Sequence, residues 1–205
     1  MWLRMFDYFT AHNDAVIALS SAIIGAFFGF FGSYLIWWFE RRRQRHLARM
    51  QIVINLRRWL QRALYWMNDI QTLVGSHGAG GAFHTTLPSF RFEKSLEQAA
   101  LLERQAAEKI FALIRKKDNA NSAIEAEIED RVSDDDDDAV DLWRGLCGQV
   151  WLEAFGIYDR MSAQVGWSER AFSDENKKMM QEEIDRYQKL ELERIKSNAD
   201  LFPDK

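Results

Sequence analysis

Residues able to catalyse a reaction or to bind a metal are few in this sequence and are widely separated. His77 and His84 flank a glycine-rich stretch, GSHGAGGAFH, but two histidines without a third ligand make a poor zinc site. The same stretch lacks the G-K-[ST] ending of a phosphate-binding loop. Cys147 is the single cysteine, and its place on an apolar helical face predicts a buried, inert thiol. These residues predict no catalytic residue and no metal site.

Five consecutive aspartates, Asp134 to Asp138, form the strongest acidic feature. A calcium loop needs spaced ligands and a turn glycine, and this run has neither. We expect a solvated linker that also places negative charge at the N-terminus of the next helix. The alternative is that the run docks on an arginine cluster of its own or a neighbouring subunit.

The sequence contains no pattern typical of a hydrolase or a metalloprotease. Ser-His-Asp, H-E-x-x-H and G-x-S-x-G arrangements are all missing, so we predict neither an enzyme nor a cofactor. An active site assembled from separated residues stays open as an alternative, because it would leave no motif.

Charge is divided unevenly along the chain. Residues 1–91 contain 10 Lys and Arg against 4 Asp and Glu, and residues 92–205 contain 17 against 27. The two parts therefore carry +6 and −10, which sum to the −4 of the whole chain. Because most of the chain is acidic, we do not expect a nucleic-acid partner. One cysteine excludes an internal disulfide framework and fits a reducing compartment.

A long uncharged stretch follows the short N-terminal segment 1–14. Residues 15–39 contain no Asp, Glu, Lys, Arg or His, and as a helix they would span about 37 Å. A cleavable signal peptide has a shorter apolar core and a small-residue cleavage site, whereas this stretch ends in aromatic residues and arginines. The sequence predicts an uncleaved transmembrane helix over 15–39, preceded by an interfacial segment over 1–14.

Positive charge lies mainly on the C-terminal side of this helix. The positive-inside rule then places residues 40–205 in the cytoplasm and the N-terminus outside, which makes the chain a single-pass protein of the cell inner membrane. Aromatic residues and arginines at that end are expected at the membrane interface, in contact with anionic lipids. They are Trp37, Trp38, Arg41, Arg42, Arg43, Arg45 and Arg49.

Small residues of the predicted membrane helix are segregated on one face. At 100° per residue they project within a sector of about 140°, and the large apolar residues fill the remainder. This pattern lets helix backbones approach closely in lipid, and its width favours a homo-oligomer of three or more helices over a dimer. The alternative is packing against a different membrane protein. The residues expected in the contact are Ser21, Gly25, Gly29, Gly32 and Ser33.

The remainder of the chain has helical periodicity and no convincing strand alternation. We predict an all-α protein in which the membrane helix continues into a cytoplasmic bundle of about four helices. The predicted helices are 40–74, 92–117, 139–166 and 173–196, with a flexible glycine-rich loop at 75–91 and an acidic segment at 118–138.

This layout resembles single-pass bacterial membrane effectors of phage-defence systems, including the pore-forming accessory proteins of some RNA-targeting CRISPR systems. The resemblance implies a membrane oligomer whose cytoplasmic bundle controls a pore. The alternative is a non-enzymatic scaffold that docks a partner protein, because a lining of Gly, Ala and Ser is barely polar.

Overall fold

Four helices make up the secondary structure of the part of the chain that the structure, a computed structural model, describes. That part is residues 2–77, 79–90, 102–129, 137–167 and 171–201, with the backbone alone at 2–16, 137 and 198–201. No strand occurs in these ranges, and the predicted all-α class is confirmed. The helices are α1 (Trp2–Gly75), α2 (Arg104–Glu129), α3 (Asp137–Gln164) and α4 (Asp174–Leu201).

The chain divides into two compact units. The first is Met1–Arg45 and the second is His46–Lys205. Helix α1 contributes to both, and its bounds join the predicted segments 1–14, 15–39 and 40–74 into one helix. The physical reason is that no proline interrupts this stretch before Gly75, where the helix ends.

The second half of α1 provides one side of the core of the second unit. Its apolar residues at heptad spacing from Val53 to Ile70 are fully buried, whereas Val74 at the end of the pattern is 39% exposed. In the adjoining stripe at sevenfold spacing Ile52 and Trp59 are buried while Trp66 and Leu73 are half-buried, so the apolar face is wider than a two-stranded coiled-coil seam. The predicted bundle helix is confirmed over this range.

Helix α2 differs from the predicted helix 92–117. It begins at Arg104 and continues to Glu129, through much of the segment predicted to be an acidic connection; residues 92–101 lie outside the described ranges. The acidic residues lie on its outer side while Ala120 and Ile124 extend the buried stripe of Ile110. A surface helix needs only one apolar face, so the helix continues through this segment in spite of its many charged residues.

Helix α3 lies within two residues of its predicted bounds, 139–166, whereas α4 begins one residue after and ends five residues after its predicted bounds, 173–196. The apolar residues spaced by three and four along α3 are buried from Val140 to Met161 and half-buried at Val165, and on α4 Met180 and Ile184 are buried and Tyr187 is half-buried. The side chain of Tyr187 on α4 packs directly on Gly145 of α3, where a Cβ atom would lie 2.4 Å from Cγ of Tyr187. Glycine at this position therefore permits the close packing of α3 on α4.

The second half of the predicted flexible loop 75–91 is packed and not free. We call residues 83–90 the strap. The indole Nε1 of Trp59 donates a hydrogen bond to the carbonyl of Pro88 (2.6 Å), and that of Trp143 donates to the carbonyl of Thr86 (3.2 Å). The Leu87 amide donates to Oδ1 of Asn121 (2.8 Å). Side chains from α1, α2 and α3 thus each hold the strap, which explains why it keeps one path without regular structure.

We expect Gly145→Ala to lower the free energy of unfolding by about 2 kcal/mol, because the added methyl group displaces the base of the Tyr187 side chain. Gly156→Ala is the matched control on the same helix: a Cβ there meets no atom within 4 Å, so the better helix former should stabilise by up to about 1 kcal/mol. Urea unfolding of the full-length protein in mild detergent, followed by tryptophan fluorescence, measures both. Equal effects of the two substitutions would contradict the close approach of α3 and α4.

Candidate functional site: the apolar part of α1

The apolar part of α1, defined as residues 17–39, exposes large hydrophobic side chains over most of its circumference. Ile17, Phe27, Phe28 and Phe30 each have more than 60% of their surface exposed. Among the residues described, α1 is the one helix long and apolar enough to cross a membrane, and none of its apolar window is buried against the rest of the chain. A core helix of a soluble domain would be buried, so this exposure makes the stretch a candidate membrane span.

The small face of α1, defined as Ser21, Gly25, Gly29, Gly32 and Ser33, is uncovered. A Cβ atom added to any of its three glycines meets nothing within 4 Å. Nothing within the described chain therefore requires glycine there. Glycine lowers helix stability relative to alanine in water, and in membranes it is favoured where two helix backbones must come close.

The serine hydroxyls on this face are bonded within their own helix. Oγ of Ser21 donates to the carbonyls of Ile17 (2.8 Å) and Ala18 (3.0 Å), and Oγ of Ser33 donates to the carbonyl of Gly29 (2.9 Å). In lipid an unsatisfied hydroxyl would be costly, so these bonds let serine act as a small, nearly apolar residue. The face is suited to tight packing and offers few polar groups to water or ions.

Two aromatic–arginine pairs lie at the C-terminal end of the apolar part. The Arg41 guanidinium lies 5.0 Å from the ring centroid of Trp37, and that of Arg42 lies 5.5 Å from the ring of Trp38. Each such pair contributes about 0.5–1 kcal/mol at an exposed site. The indole places apolar surface beside a fixed positive charge, which is the combination found at a membrane–water interface.

The remaining arginines of the predicted lipid contact differ in their surroundings. Arg43 and Arg45 are exposed, as a role at a lipid surface requires. Arg49 instead donates from Nη2 to Oε1 of Glu103 at 2.7 Å, and 22% of its side chain is exposed. This ion pair ties the start of α2 to α1, a contact that the sequence did not predict.

The acidic run is described only from Asp137 onward. Asp138 forms an ion pair with Arg194 of α4. Asp141, just after the run, pairs with Arg186 of the same helix (3.4 Å). The described end of the run thus contacts α4, while docking of the run on the arginine cluster of its own or a neighbouring subunit stays a prediction.

The histidines and the cysteine have structural surroundings. His84 stacks on Trp66 with ring centroids 3.9 Å apart, and its Nε2 lies 3.6 Å from Oδ2 of Asp69. His77 is exposed at the end of α1 with a φ of 51°. Cys147 is fully buried, as predicted, and burial raises the pKa of its thiol. The described residues include no group of three or more His, Cys, Asp or Glu side chains placed to hold a metal.

A buried ion pair in the second unit was missed by sequence reasoning. Nη2 of Arg144 on α3 lies 2.6 Å from Oε1 of Glu183 on α4, and both side chains are less than a tenth exposed. Nε2 of Gln71 on α1 donates to the same oxygen (3.2 Å). The available signal was positional, since Glu183 lies three residues after Met180 on the inward face of α4. The pair joins three helices at one point in the core.

The geometry of the apolar part of α1 is that of a packing surface and not of a reaction centre. Its groups are ring edges, methyl groups and small residues, with arginines at one end. No protein family, curated protein or solved structure in the comparisons matches this chain.

We expect Glu183→Ala to lower the free energy of unfolding by about 3 kcal/mol, because it removes the nearest carboxylate from the buried Arg144 guanidinium and leaves it the more distant Asp141, at 3.8 Å. The matched control is Glu182→Ala. It removes a neighbouring carboxylate that is exposed and whose one ion pair, to Lys178, is long at 3.7 Å, so its effect on the free energy of unfolding should be at most about 0.5 kcal/mol. Urea midpoints of the two variants decide the matter. Identical midpoints would show that the ion pair contributes nothing to stability.

Proposed function

We propose that this protein is a single-pass inner-membrane protein that self-associates through the small face of α1 and perturbs the membrane under the control of its cytoplasmic bundle. The observation that carries the proposal is the uncovered small face: three glycines whose Cβ positions are open, on a helix that is otherwise lined with large apolar side chains. The residues that would meet in the assembly are Ser21, Gly25, Gly29, Gly32 and Ser33.

The course of α1 supports a retained membrane span. A secretion signal ends soon after its apolar core, at a small-residue cleavage site. Here the helix continues without a break to Gly75, and the apolar part ends in aromatic residues that include Trp37 and Trp38 and is followed by the arginines. The excess of arginine after the span supports the orientation in which residues 40–205 are cytoplasmic.

The chemistry of the small face supports association with other helices. Lipid tails are as apolar as leucine, so burying large side chains gives no hydrophobic gain between membrane helices, and close backbone packing must provide the attraction. Ser21 and Ser33 bring no unsatisfied hydroxyl into such a contact, because their hydroxyls are bonded to their own helix. A face about 140° wide has room for two neighbouring helices at once.

Membrane perturbation is supported by the layout, which resembles membrane effectors of phage-defence systems. In the assembly a membrane helix could pass a signal from the bundle to the bilayer, since α1 contributes residues to both units. A scaffold that docks a partner protein is the second candidate. The internally bonded serines favour it, because a lining without polar groups conducts ions poorly.

We predict that Gly25→Leu combined with Gly29→Leu abolishes self-association, because two leucine side chains keep the helix backbones apart. The wild-type protein, solubilised in mild detergent, should have the mass of a defined assembly of about three or more subunits by light scattering with the detergent subtracted. The matched control is Phe27→Leu combined with Phe31→Leu, which changes the opposite face at the same spacing and should keep the assembly. A wild-type monomer, or equal masses for both variants, would contradict the proposal.

A separate prediction concerns the membrane activity of the assembly. Wild-type protein reconstituted in liposomes that contain an anionic lipid should release an entrapped dye. The Gly25→Leu, Gly29→Leu variant should not release it. The Phe27→Leu, Phe31→Leu variant should release the dye like the wild type, because it keeps the small face. Assembly without release would favour the scaffold over the membrane-perturbing effector.

A further inference from the structure

An aromatic cleft lies beside the end of α3 and the start of α4, entirely within the second unit. Its volume is about 560 Å³, within the range of sites that hold small molecules. Its lining includes four aromatic residues, two aspartates and a lysine: Phe155, Tyr158, Trp167, Phe172, Asp159, Asp174 and Lys177.

Aromatic rings form the walls of the cleft and are held by one another. Phe172, which is also part of the lining, meets Phe155 edge to face with centroids 6.1 Å apart and Tyr158 with centroids 5.6 Å apart. Phe172 and Tyr158 are buried, so their rings are fixed by packing. A fixed set of rings presents ordered electron-rich faces, which attract cations.

Two cations of the chain already lie on rings that line the cleft. Nζ of Lys177 lies 4.6 Å from the centroid of Phe155, and the guanidinium of Arg57 lies 5.6 Å from the ring of Trp167. The ring faces are therefore accessible to positive charge in the folded protein. Lys177 is 40% exposed and is held near its ring by one ion pair, to Asp174 at 3.0 Å. Such a side chain can swing away at little cost.

The charges lining the cleft also favour a cation. Asp159 and Asp174 contribute two carboxylates, against the ammonium of Lys177 and the guanidinium of Arg57 on the ring of Trp167. These four charges sum to zero, so displacing the Lys177 ammonium leaves a formal charge of −1 that a ligand cation would compensate. An anion at the start of α4 would gain from the helix dipole, but it would meet these carboxylates. The first amides of α4 are also engaged already, since the Asn176 amide donates to Oγ of Ser173 (3.3 Å).

We propose that this cleft binds a small organic cation, an alkylated ammonium group, in competition with the side chain of Lys177. An alkylated ammonium is weakly hydrated and fits among ring faces, where its methyl groups and its charge both contribute. The carboxylates of Asp159 and Asp174 compensate the charge. The ligand would displace the Lys177 ammonium from the ring of Phe155 toward solvent. This binding is independent of the assembly proposed for α1.

Tetramethylammonium chloride is the probe, applied to the full-length protein in mild detergent with sodium chloride at the same ionic strength as the reference. Saturation-transfer NMR on its methyl protons, titrated over the millimolar range, should show saturable binding. The Lys177→Ala variant should bind at least about threefold more tightly, because the internal competitor is gone. The matched control, Lys178→Ala, removes the next lysine, which is 78% exposed and outside the lining, and should bind like the wild type.

Two further variants test the walls. Phe155→Leu keeps an apolar side chain but removes the ring face, and Asp159→Asn removes an exposed carboxylate; both should weaken binding by about threefold or more. Circular dichroism shows whether the Phe155→Leu variant is folded. If that variant does not fold, Asp159→Asn still tests the cleft, because it changes an exposed side chain.

Saturable binding that tightens in Lys177→Ala supports the proposal. No saturable binding in either the wild type or Lys177→Ala would overturn it. Weaker binding in Lys177→Ala would also overturn it, since the lysine would then be a ligand contact and not a competitor. The glycine variants of α1 should bind the probe unchanged, so failure here and failure of the proposed assembly are separate results.

Discussion

Three buried indole groups determine how the second unit is assembled. Trp59, Trp143 and Trp151 are at most 2% exposed, and a buried N–H must find an acceptor. Trp151 donates to the carbonyl of Leu60 on α1 (3.1 Å), and the other two donate to the strap. Trp59 and Trp151 thus join α1 to the strap and to α3, and Trp143 joins α3 to the strap. The backbones of α3 and α4 approach each other directly at Gly148, where a Cβ atom would lie 2.9 Å from the carbonyl oxygen of Met180.

Helix α1 contains two sequence patterns, one suited to water and the other suited to lipid. Its second half is amphipathic, as in a helix of a soluble protein: Leu56, Leu60 and Met67 are fully buried in the core of the second unit, and polar residues lie on the outer face. Its apolar part has large side chains on most of its circumference and small residues on the rest. In water that surface would be a severe aggregation risk; in lipid it is matched by the solvent, and only the small face distinguishes one side from another.

The polar groups inside the second unit serve structure more readily than reactivity. The raised pKa of the Cys147 thiol keeps it protonated and poorly nucleophilic, and His84 is held between Trp66 and Asp69. Arg144, Glu183 and Gln71 connect three helices at one point in the core. The aromatic cleft is different, because its carboxylates and the ammonium of Lys177 reach solvent.

Periodicity and composition were sufficient to predict the helical class, the long apolar stretch, the inward faces of α3 and of the second half of α1, and the burial of Cys147. Each of these depends on neighbours along the chain, where a helix repeats every 3.6 residues. The extension of α2 to Glu129 was hidden because charge on the outer face resembles a linker. The packed strap, the Arg144–Glu183 pair and the cleft around Phe155 join residues that are far apart in sequence. They form because buried polar groups need hydrogen-bond partners and aromatic rings need packing partners, and the packed helices determine which residues are near enough. No local sequence pattern encodes these partners.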